Sequence, residues 1–394
     1  MKTKMRVVVV GGGLIGTWTT LFLTKRGLDV ILIEKGIVGA QSSGTNFGNL
    51  RLQGRHPGQY PLSLRSQALW EDIEQLIGDR CEFERTGHLY VGMNDAEQEK
   101  LEQHARVAES HGLVIERIGR DELRRRWPWI GEGPQTATYS ARDATANPRL
   151  VSVAVARAAQ RLGAEIAENT RVTEVQRNGA GFTVKTDTGR MLDCDAVVNS
   201  AGAWALNIAE AFGETAPMFA AGPPQFVTEP VPYRVTPSVQ AVDGSVIFRQ
   251  IPRGNVIFAG YPRTAADPVL NRAPVPPVKT LAGMRNLMNI APFLKSTQVI
   301  RVWSGIEGYL PDMLPVIGKS ETTPGLFHAF GFCGHGFQVG PGVAAVLVDL
   351  IVDGKTDTPI DIFSIGRFKN TVQVSDKLAR EFDMPAASSN NRAG

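Results

Sequence analysis

The chain has 394 residues, of which 43% are hydrophobic and 21% are charged. This composition supplies the apolar side chains for a sizeable core and excludes a wholly disordered protein. The 42 basic and 39 acidic residues leave a formal net charge of +3, so electrostatics gives no reason to expect a nucleic-acid partner or an anionic membrane surface. The length predicts two domains or one large composite domain.

Three cysteines, Cys81, Cys194 and Cys333, lie far apart, and none belongs to a C-x-x-C pair. They cannot form a zinc or iron–sulfur site by themselves, and they lack the pattern of a disulfide framework. We therefore predict no metal site. The apolar run at 7–10 is too short for a signal peptide or a membrane span, and the run at 344–352 contains an aspartate. We expect no membrane span and a cytoplasmic location.

The first 35 residues predict a β-α-β unit. Residues 6–10 form a β-branched run, residues 14–26 have helical character, Gly27 ends the helix, and residues 30–33 predict a second buried strand. Further along, helices are predicted at 62–76, 95–112, 121–127 and 148–162, and strands at 164–166, 171–176, 182–186, 194–200, 247–251 and 256–259.

A glycine-rich motif follows the first strand and opens the first helix. Gly11, Gly13 and Gly16 occupy the glycine positions of G-x-G-x-x-G. The first glycine permits a tight turn, the second lets the backbone approach a pyrophosphate, and the third lets the helix pack on the strand. The helix N-terminus, which begins with Leu14 and Ile15, supplies oriented N–H groups for the phosphates.

An acidic residue, Glu34, ends the second strand at about the 20-residue interval expected for the acid that binds the ribose. A carboxylate accepts hydrogen bonds from ribose hydroxyls and repels a 2′-phosphate, which argues against NADP. The motif does not separate NAD from FAD, because both contain an ADP half.

Later motifs favour FAD. Five segments are relevant, and the first of them contains the glycine-rich motif. They are Val8–Gly16, Ile33–Lys35, the Ser43-Gly44 turn, Val197–Trp204 and Gly331–Gln338. In these motifs and their order, from Val7 to about Phe368, the chain resembles the FAD-dependent amino-acid and amine oxidoreductases of the D-amino-acid oxidase superfamily. The resemblance implies an α/β fold, in which a discontinuous Rossmann-like FAD-binding domain carries an inserted α+β substrate domain with a mainly antiparallel β-sheet.

The order of the elements predicts one nucleotide-binding domain in separate pieces and a β-rich domain inserted between them. We place the FAD-binding domain at 1–80, 148–215 and 300–370, the substrate domain at 81–147 and 216–299, and a disordered tail at 385–394.

The resemblance also implies roles for individual residues. Ser43 and its neighbours would contact the pyrophosphate, the backbone of Val172 would hold the adenine, Gly202 would lie against the cofactor, and residues 334–338 would lie at the flavin ring. The residues expected to contact FAD are Gly11, Gly13, Leu14, Ile15, Gly16, Glu34, Lys35, Ser42, Ser43, Gly44, Asn46, Val172, Ala201, Gly202, Trp204, Gly334, His335, Gly336, Phe337 and Gln338.

Two subgroups of the superfamily are disfavoured by departures from their patterns. Glycine oxidases use an arginine beside the flavin loop, where this chain has Gly334 or His335. Monomeric sarcosine oxidases have a lysine where this chain has Gln338, and they tether the flavin through a cysteine that is absent from Tyr309–Met313. We therefore predict noncovalent FAD.

An amino-acid-like substrate brings a carboxylate that an arginine or lysine must bind. Arg51 matches the region that carries a substrate arginine in sarcosine oxidases, and Arg249 lies on a predicted strand of the inserted domain. A solvated surface arginine is the alternative for both. His335 is flanked by two glycines, and we expect it to contact ligand or flavin; a packed histidine is the alternative.

The segments Arg301–Gly318 and Phe327–Gly336 are most similar to the β subunits of heteromeric flavin dehydrogenases of the opine oxidase, D-hydroxyproline dehydrogenase and hydrogen cyanide synthase type. The similarity implies FAD-dependent oxidation of the C–N bond of an N-substituted or secondary-amine, opine-like amino acid. A hydride passes to flavin N5, and the resulting imine hydrolyses. The similarity also implies partner subunits that carry an iron–sulfur cluster or a second flavin.

Three alternatives stay open. The chain could be a stand-alone D-amino-acid, sarcosine or glycine oxidase-like enzyme, or a flavin-binding subunit without its own turnover. It could also be an NAD-dependent dehydrogenase, which the later flavin-type motifs disfavour.

Overall fold

The structure is a computed structural model that describes residues 4–260 and 262–382. The predicted disordered tail at 385–394 lies outside the described residues. The strands are β1 (Arg6–Val10), β2 (Asp29–Ile33), β3 (Asn49–Leu50), β4 (His88–Gly92), β5 (Glu116–Gly119), β6 (Thr136–Ser140), β7 (Ala144–Thr145), β8 (Glu165–Ala167), β9 (Val172–Asn178), β10 (Gly181–Thr186), β11 (Met191–Cys194), β12 (Ala196–Asn199), β13 (Phe219–Gly222), β14 (Gln225–Pro230), β15 (Ser238–Ala241), β16 (Ile247–Gln250), β17 (Asn255–Ala259), β18 (Thr264–Ala265), β19 (Val299–Trp303), β20 (Glu307–Tyr309), β21 (Val316–Lys319) and β22 (Leu326–Phe330).

The α-helices are numbered in the same way. They are α1 (Leu14–Lys25), α2 (Ser42–Thr45), α3 (Tyr60–Glu71), α4 (Ile73–Ile77), α5 (Asp95–Glu109), α6 (Arg120–Arg126), α7 (Pro148–Arg161), α8 (Leu206–Ala211), α9 (Pro277–Ile290), α10 (Gly336–Val352) and α11 (Lys377–Glu381). Short 3-10 helices occur at Pro57–Gln59, Gly202–Trp204, Pro292–Leu294, Asp361–Phe363 and Ile365–Lys369.

A six-stranded sheet in the order β21-β22-β12-β1-β2-β8 forms the centre of the nucleotide-binding part. Five neighbouring strands are parallel, and β21 is an antiparallel edge strand. Both faces are covered. Val7 and Val9 pack in the cluster that includes α1 and α10, whereas Val8 and Val10 pack with the three-stranded sheet β11-β10-β9. Burial on both faces explains the uninterrupted valine run.

An eight-stranded sheet in the order β19-β14-β17-β16-β15-β4-β6-β5 takes strands from two distant parts of the chain. Neighbouring strands are antiparallel except for the parallel pair β15–β4. One face packs against α9, where Phe226, Phe248 and Phe258 meet Leu287 and Ile290. The other face is free to form the wall of a cavity.

The predicted fold class is confirmed, because a mainly parallel sheet covered by helices is combined with a mainly antiparallel sheet. One strand crosses a predicted domain boundary. β19 brings residues 299–303 into the eight-stranded sheet, although residues from 300 onward were assigned to the FAD-binding domain. The domain boundaries stay predictions. Among the residues that the structure describes, no helix has both the length and the apolar character needed to cross a bilayer.

Candidate active site

A cavity opens at the carboxyl ends of β1, β12 and β22, where an open parallel sheet is expected to bind its ligand. Twelve of the predicted residues line it: Leu14, Ile15, Ser42, Ser43, Asn46, Arg51, Gly202, Gly334, His335, Gly336, Phe337 and Gln338. Ten predicted residues lie outside this lining: Gly11, Gly13, Gly16, Glu34, Lys35, Gly44, Val172, Ala201, Trp204 and Arg249. We call the part at α1 the nucleotide end and the part around Arg51, Arg55 and Arg263 the cationic end.

The glycines of the nucleotide end are required by close backbone contacts. Gly11 has φ of +105°, and a Cβ there would lie 2.4 Å from the main-chain oxygen of Ser200. At Gly16 a Cβ would lie 1.9 Å from the main-chain oxygen of Gly11. Only glycine fits both positions, and α1 is thereby brought against the end of β1. The N–H of Leu14 donates to Ser43 Oγ at 2.8 Å, so the loop after β2 meets the start of α1.

Glu34 lies beside the glycines of the nucleotide end. Its Oε2 accepts a hydrogen bond from the N–H of Gly12 at 2.7 Å, and its Oε1 accepts one from Gly36 at 2.8 Å. The loop that contains Ser43 is held by Asn46, whose Nδ2 donates to the main-chain oxygen of Ser43 at 2.7 Å. The carboxylate and the loop therefore flank the N-terminus of α1.

The turn after β22 leads into α10. Gly331, Cys333 and Gly334 have φ of +69°, +53° and +79°, which curls the chain tightly before α10 begins at Gly336. The first residues of α10, Gly336 to Gln338, line the cavity, and the first N–H groups of a helix have no partner within it. Gln338 binds to α3 instead, since its amide donates to the main-chain oxygen of Ser63 at 2.9 Å.

One wall consists of side chains in register across four strands. Gln225, Ala259, Ile247 and Gln240 are direct neighbours on β14, β17, β16 and β15, and all four line the cavity. Opposed residues of an antiparallel pair share a face of the sheet. The cavity therefore lies between the parallel sheet and the open face of the eight-stranded sheet.

The cationic end contains Arg51 and Arg55, which are both buried. The Arg51 guanidinium donates to the main-chain oxygen of Gln53 and lies 5.3 Å from the centroid of the Tyr90 ring. Arg55 Nε donates to the main-chain oxygen of Arg51 at 2.9 Å, whereas Arg55 Nη1 has no hydrogen-bond partner within residues 4–260 and 262–382. Burial, and next to it the charge of Arg51, lowers the pKa of Arg55 to about 9. Asp143 lies nearby, and burial raises the pKa of its carboxyl to about 6.

Arg263 reaches the same end from the segment after β17. Its Nη1 forms a buried ion pair with Glu381 at 2.7 Å, and its guanidinium lies 4.9 Å from the centroid of Tyr309. Lys377 lies one turn before Glu381 in α11. Burial lowers the pKa of the Lys377 ammonium to about 8; Glu381 opposes this shift, and Arg51 and Arg263 add to it.

His335 lies on the cavity wall near these basic groups. Burial, together with the charges of Lys377, Arg55, Arg51 and Arg263, holds the pKa of His335 well below its usual value. The imidazole is therefore neutral at physiological pH. Its Nδ1 has no hydrogen-bond partner in the described part of the chain. It is available to a ligand as an acceptor or a donor, depending on the tautomer.

Arg249 shares a face of β16 with Ile247 because the two residues are two positions apart. It does not line the cavity, however. Its Nε donates to the main-chain oxygen of Phe47 at 3.0 Å, and its Nη2 donates to that of Ala146 at 3.3 Å. Burial lowers the pKa of Arg249 to about 10. The guanidinium thus holds two loops together behind the cavity.

Lys35 and Trp204 contact each other beside the nucleotide end. The Lys35 ammonium lies 3.0 Å from the centroid of the Trp204 ring, and Trp204 Nε1 donates to the main-chain oxygen of Pro268 at 2.9 Å. Val172 begins β9 and, like Ala201, packs partly buried against the β1–β2 core. These four residues surround the site without lining the cavity.

Sequence reasoning missed six charged residues of the cationic end: Arg55, Asp143, Arg263, Glu307, Lys377 and Glu381. The spacing of Arg55 from Arg51 was an available signal, since both follow the loop after β2. Nothing local distinguished Arg263 or Lys377. Glu307 accepts a hydrogen bond from the Tyr309 hydroxyl on the cavity wall, and burial raises the pKa of its carboxyl.

The residues present fit FAD. The nucleotide end offers the α1 N-terminus, a glycine cradle and a carboxylate, the groups needed for a pyrophosphate and a ribose. Gly202 has φ of +58° and no atom within 4 Å of its would-be Cβ, so the backbone there is open to close approach. Across the described residues, no three His, Cys, Asp or Glu side chains come together as a metal site.

Comparison with known proteins identifies the family. The family model described as "FAD dependent oxidoreductase" matches residues 6–350. A subunit of hydrogen cyanide synthase from Pseudomonas aeruginosa is 28% identical over 325 residues, which is 79% of this chain and 75% of the relative. The 4-methylaminobutanoate oxidase (formaldehyde-forming) of Paenarthrobacter nicotinovorans is 26% identical over 380 residues, which is 93% of this chain; the match spans 46% of the oxidase, about half its length.

A solved structure agrees with these relatives over nearly the whole chain. L-proline dehydrogenase from P. horikoshii superposes with a TM-score of 0.86 and 26% identity, covering 94% of this chain and 99% of the other. The predicted resemblance to the D-amino-acid oxidase superfamily is therefore confirmed, and so is the predicted cofactor. The chain belongs to the family of FAD-dependent oxidoreductases, and its cofactor is FAD.

Proposed function

We propose that this protein oxidises the C–N bond of an N-substituted or secondary-amine amino acid, the opine-like class predicted from the sequence. The observation that carries the proposal is the position of Arg51 and Arg55 on the wall of the cavity that also contains His335 and the start of α10. An arginine binds a carboxylate through charge-assisted hydrogen bonds. Two of the similar proteins are named for substrates that are secondary amines, 4-methylaminobutanoate and L-proline.

The basic side chains favour the reactive form of the amine. When FAD is bound, its flavin ring accepts a hydride from the carbon that bears the nitrogen. A lone pair on nitrogen must stabilise the developing positive charge, so the amine must be unprotonated. The positive charges of Arg51, Arg55 and Arg263 disfavour protonation of an amine nearby. The neutral imidazole of His335 can form a hydrogen bond with the unprotonated amine. The imine product then hydrolyses in water.

Anaerobic mixing of the holoenzyme with amino acids tests the proposal. We expect secondary-amine amino acids to bleach the visible flavin absorbance faster than the matching primary amines. A flavin that dithionite reduces, but that no secondary-amine amino acid reduces, would contradict the proposal and favour a binding subunit without its own turnover.

We further propose that FAD is held noncovalently. The Cys333 thiol lies on the cavity wall, but burial raises its pKa to about 12 and it accepts a hydrogen bond from the N–H of Leu310 at 3.3 Å. A protonated thiol is a poor nucleophile towards a flavin. Acid precipitation should release yellow flavin into the supernatant; colour that stays in the washed pellet would show a covalent bond.

We also propose that the chain works as the catalytic subunit of a heteromeric dehydrogenase in the cytoplasm. One relative is named as a subunit, and Gln338 takes the place of the lysine found in monomeric sarcosine oxidases. A partner with an iron–sulfur cluster or a second flavin would accept the electrons. Peroxide formation by the isolated chain should be much slower than reduction of an artificial dye, and equal rates would favour a stand-alone oxidase.

A further inference from the structure

Glu307 is an acidic side chain on the wall of a cavity whose other charged groups are basic. Among the described residues that form the lining, Arg51, Arg55 and Arg263 are basic, His335 is neutral, and Glu307 alone has a carboxyl group. The basic side chains can bind the carboxylate of an amino acid, but they repel its ammonium. Glu307 is therefore the group of opposite charge that the cavity offers to the nitrogen of the substrate.

The carboxyl group of Glu307 is held through one of its two oxygens. Its Oε2 accepts a hydrogen bond from the Tyr309 hydroxyl, and no described residue donates a hydrogen bond to its Oε1. Glu307 is half-buried, whereas its chain neighbours Ile306 and Gly308 are buried. Tyr309 thus fixes the position of the carboxyl group and leaves one oxygen available to a ligand in the cavity.

The same carboxyl group lies beside the turn that leads into α10. Its Oε2 is 3.8 Å from where a Cβ of Gly334 would stand, and His335 follows Gly334 in the chain. The two residues reach this part of the wall from different elements, Glu307 from β20 and His335 from the turn. Glu307 therefore lies next to the residue that the proposed function assigns to the amine.

The proposed oxidation requires a proton acceptor in the cavity. An aliphatic amine is almost wholly protonated at neutral pH, as the lysine ammonium with its ordinary pKa of about 10.4 illustrates. His335 is a weak acceptor, because burial and basic neighbours hold its pKa well below the usual value. Burial raises the pKa of the Glu307 carboxyl, although the hydrogen bond from Tyr309 and the charge of Arg263 oppose this shift. Its carboxylate is therefore a stronger base than an ordinary one.

We propose that Glu307 binds the ammonium of the substrate and accepts its proton. One N–H bond breaks, an O–H bond forms on the carboxylate, and the electron pair of the N–H bond stays on nitrogen as the lone pair that the oxidation uses. Both charges disappear together, so neither is left enclosed in the cavity. This inference rests on the proposed function and adds to it a catalytic residue, Glu307, and the form in which the substrate enters, its zwitterion.

Two unreactive carboxylates of matched shape test the contact without turnover. Dimethylsulfonioacetate has a fixed positive charge in the place of the amine nitrogen, and 3-methylbutanoate has a neutral carbon there. Dissociation constants are measured with the holoenzyme from the perturbation of its visible flavin spectrum. Glu307→Gln removes the opposite charge, so it should weaken dimethylsulfonioacetate by about ten-fold or more and leave 3-methylbutanoate within about three-fold. An equal change for both ligands would overturn the proposal. Glu99→Gln, at an exposed position of α5, is the matched control and should change neither affinity.

The pH dependence of anaerobic flavin reduction tests the proton transfer. With a secondary-amine amino acid, the rate constant of reduction divided by the dissociation constant should change little with pH near neutrality in the wild type, because the zwitterion and the Glu307 carboxylate react together. In Glu307→Gln only the free amine reacts, so this ratio should rise by about ten-fold for each pH unit. The charged and titratable groups that face Glu307 are Tyr309, Arg263, Cys333 and His335.

Two results of the pH experiment would overturn the proposal. A ten-fold rise for each pH unit in the wild type would show that the proton goes to the solution, and this measurement needs no variant. A wild-type profile in Glu307→Gln would show that another group is the base.

The outcomes separate this inference from the proposed function. A holoenzyme that secondary amines reduce with the same pH profile in the wild type and in Glu307→Gln retains the proposed function and loses the base. A holoenzyme that no amine reduces, but in which Glu307→Gln weakens only dimethylsulfonioacetate, retains the ammonium contact and loses the proposed function.

Discussion

The two ends of the cavity are built in different ways. The nucleotide end uses backbone N–H groups, glycines and one carboxylate from the 38 residues between Arg6 and Ser43, all held in place by β1, α1 and β2. The cationic end uses charged side chains from residues 51–55, 143, 263 and 377–381, which meet only in the folded chain. The groups expected to bind the cofactor are thus set by local backbone geometry, whereas the groups proposed to bind the substrate are brought together by long-range packing of side chains.

We expect the largest effect from a substitution in the nucleotide end. Gly16→Ala places a Cβ 1.9 Å from the main-chain oxygen of Gly11, and the overlap should cost about 3 kcal/mol or more of the free energy of unfolding because backbone on both sides must shift. We expect the purified variant to contain little FAD, as measured by the ratio of flavin to protein absorbance. Gly119→Ala, which meets nothing within 4 Å, is the control and should retain FAD. Full occupancy in Gly16→Ala would contradict the close contact.

A substitution in the cationic end should weaken substrate binding and leave FAD binding unchanged. Arg51→Met removes a charge-assisted contact to a carboxylate, worth about 1.5–3 kcal/mol, so substrate affinity should fall by roughly ten- to a hundred-fold. The flavin spectrum of the free enzyme should not change. The dissociation constant from anaerobic flavin reduction measures the effect, and wild-type affinity would show that another cation binds the carboxylate.

Arg249 provides the contrast to Arg51. Arg249→Met leaves the main-chain oxygens of Phe47 and Ala146 without their donor, which should lower the free energy of unfolding by about 1–3 kcal/mol. Its effect on substrate affinity should be smaller than that of Arg51→Met. Denaturant unfolding and flavin reduction separate the two effects. If Arg249→Met weakens the substrate more than Arg51→Met does, the assignment of the arginines is wrong.

This pair of arginines shows how far sequence reasoning reaches. The fingerprint, Glu34 and residues 334–338 could be predicted, because each is a contiguous motif whose geometry is set by its neighbours. Arg249 lies within a predicted strand and Arg263 follows another, and nothing in either segment shows which of the two guanidinium groups will donate hydrogen bonds to distant main-chain oxygens. Arg249 donates hydrogen bonds to the main-chain oxygens of Phe47 and Ala146. These contacts depend on how the loop after β2 packs on the eight-stranded sheet.

A pH effect should distinguish the cationic end from the nucleotide end. The pKa of Lys377 is lowered to about 8, so its ammonium is charged below that pH and neutral above it. The affinity for an unreactive carboxylate such as (methylthio)acetate, measured from the perturbation of the flavin spectrum, should therefore weaken above about pH 8, and Lys377→Met should reduce this dependence. The binding of FAD should not show it. The charged and titratable groups that face Lys377 are Glu381, Arg51, Arg263, Lys100, His335, His104 and His56.

The smallest effect concerns the ribose end of the cofactor site. Glu34→Gln replaces a carboxylate that accepts from both Gly12 and Gly36 with an amide that can accept through one oxygen only. The lost hydrogen bond, about 0.5–1.5 kcal/mol, should weaken FAD binding by roughly two- to ten-fold. Reconstitution of the apoprotein with FAD measures the change. Glu99→Gln, at an exposed position of α5, should leave it unaltered.

The short segment 375–382 has a consequence for how the protein is made. It is attached by the N–H of Ser375 to the main-chain oxygen of Pro311 at 2.9 Å and by the N–H of Arg263 to that of Glu381 at 2.8 Å. It follows every strand of both sheets in the chain, so the ribosome delivers it after the rest of the fold has been synthesised. A nascent chain therefore has every strand of both sheets before it has Glu381, the buried partner of Arg263. A product truncated after residue 370 should unfold at a lower denaturant concentration than the full chain, because the buried charge of Arg263 would lose Glu381 and the core would lose Phe382.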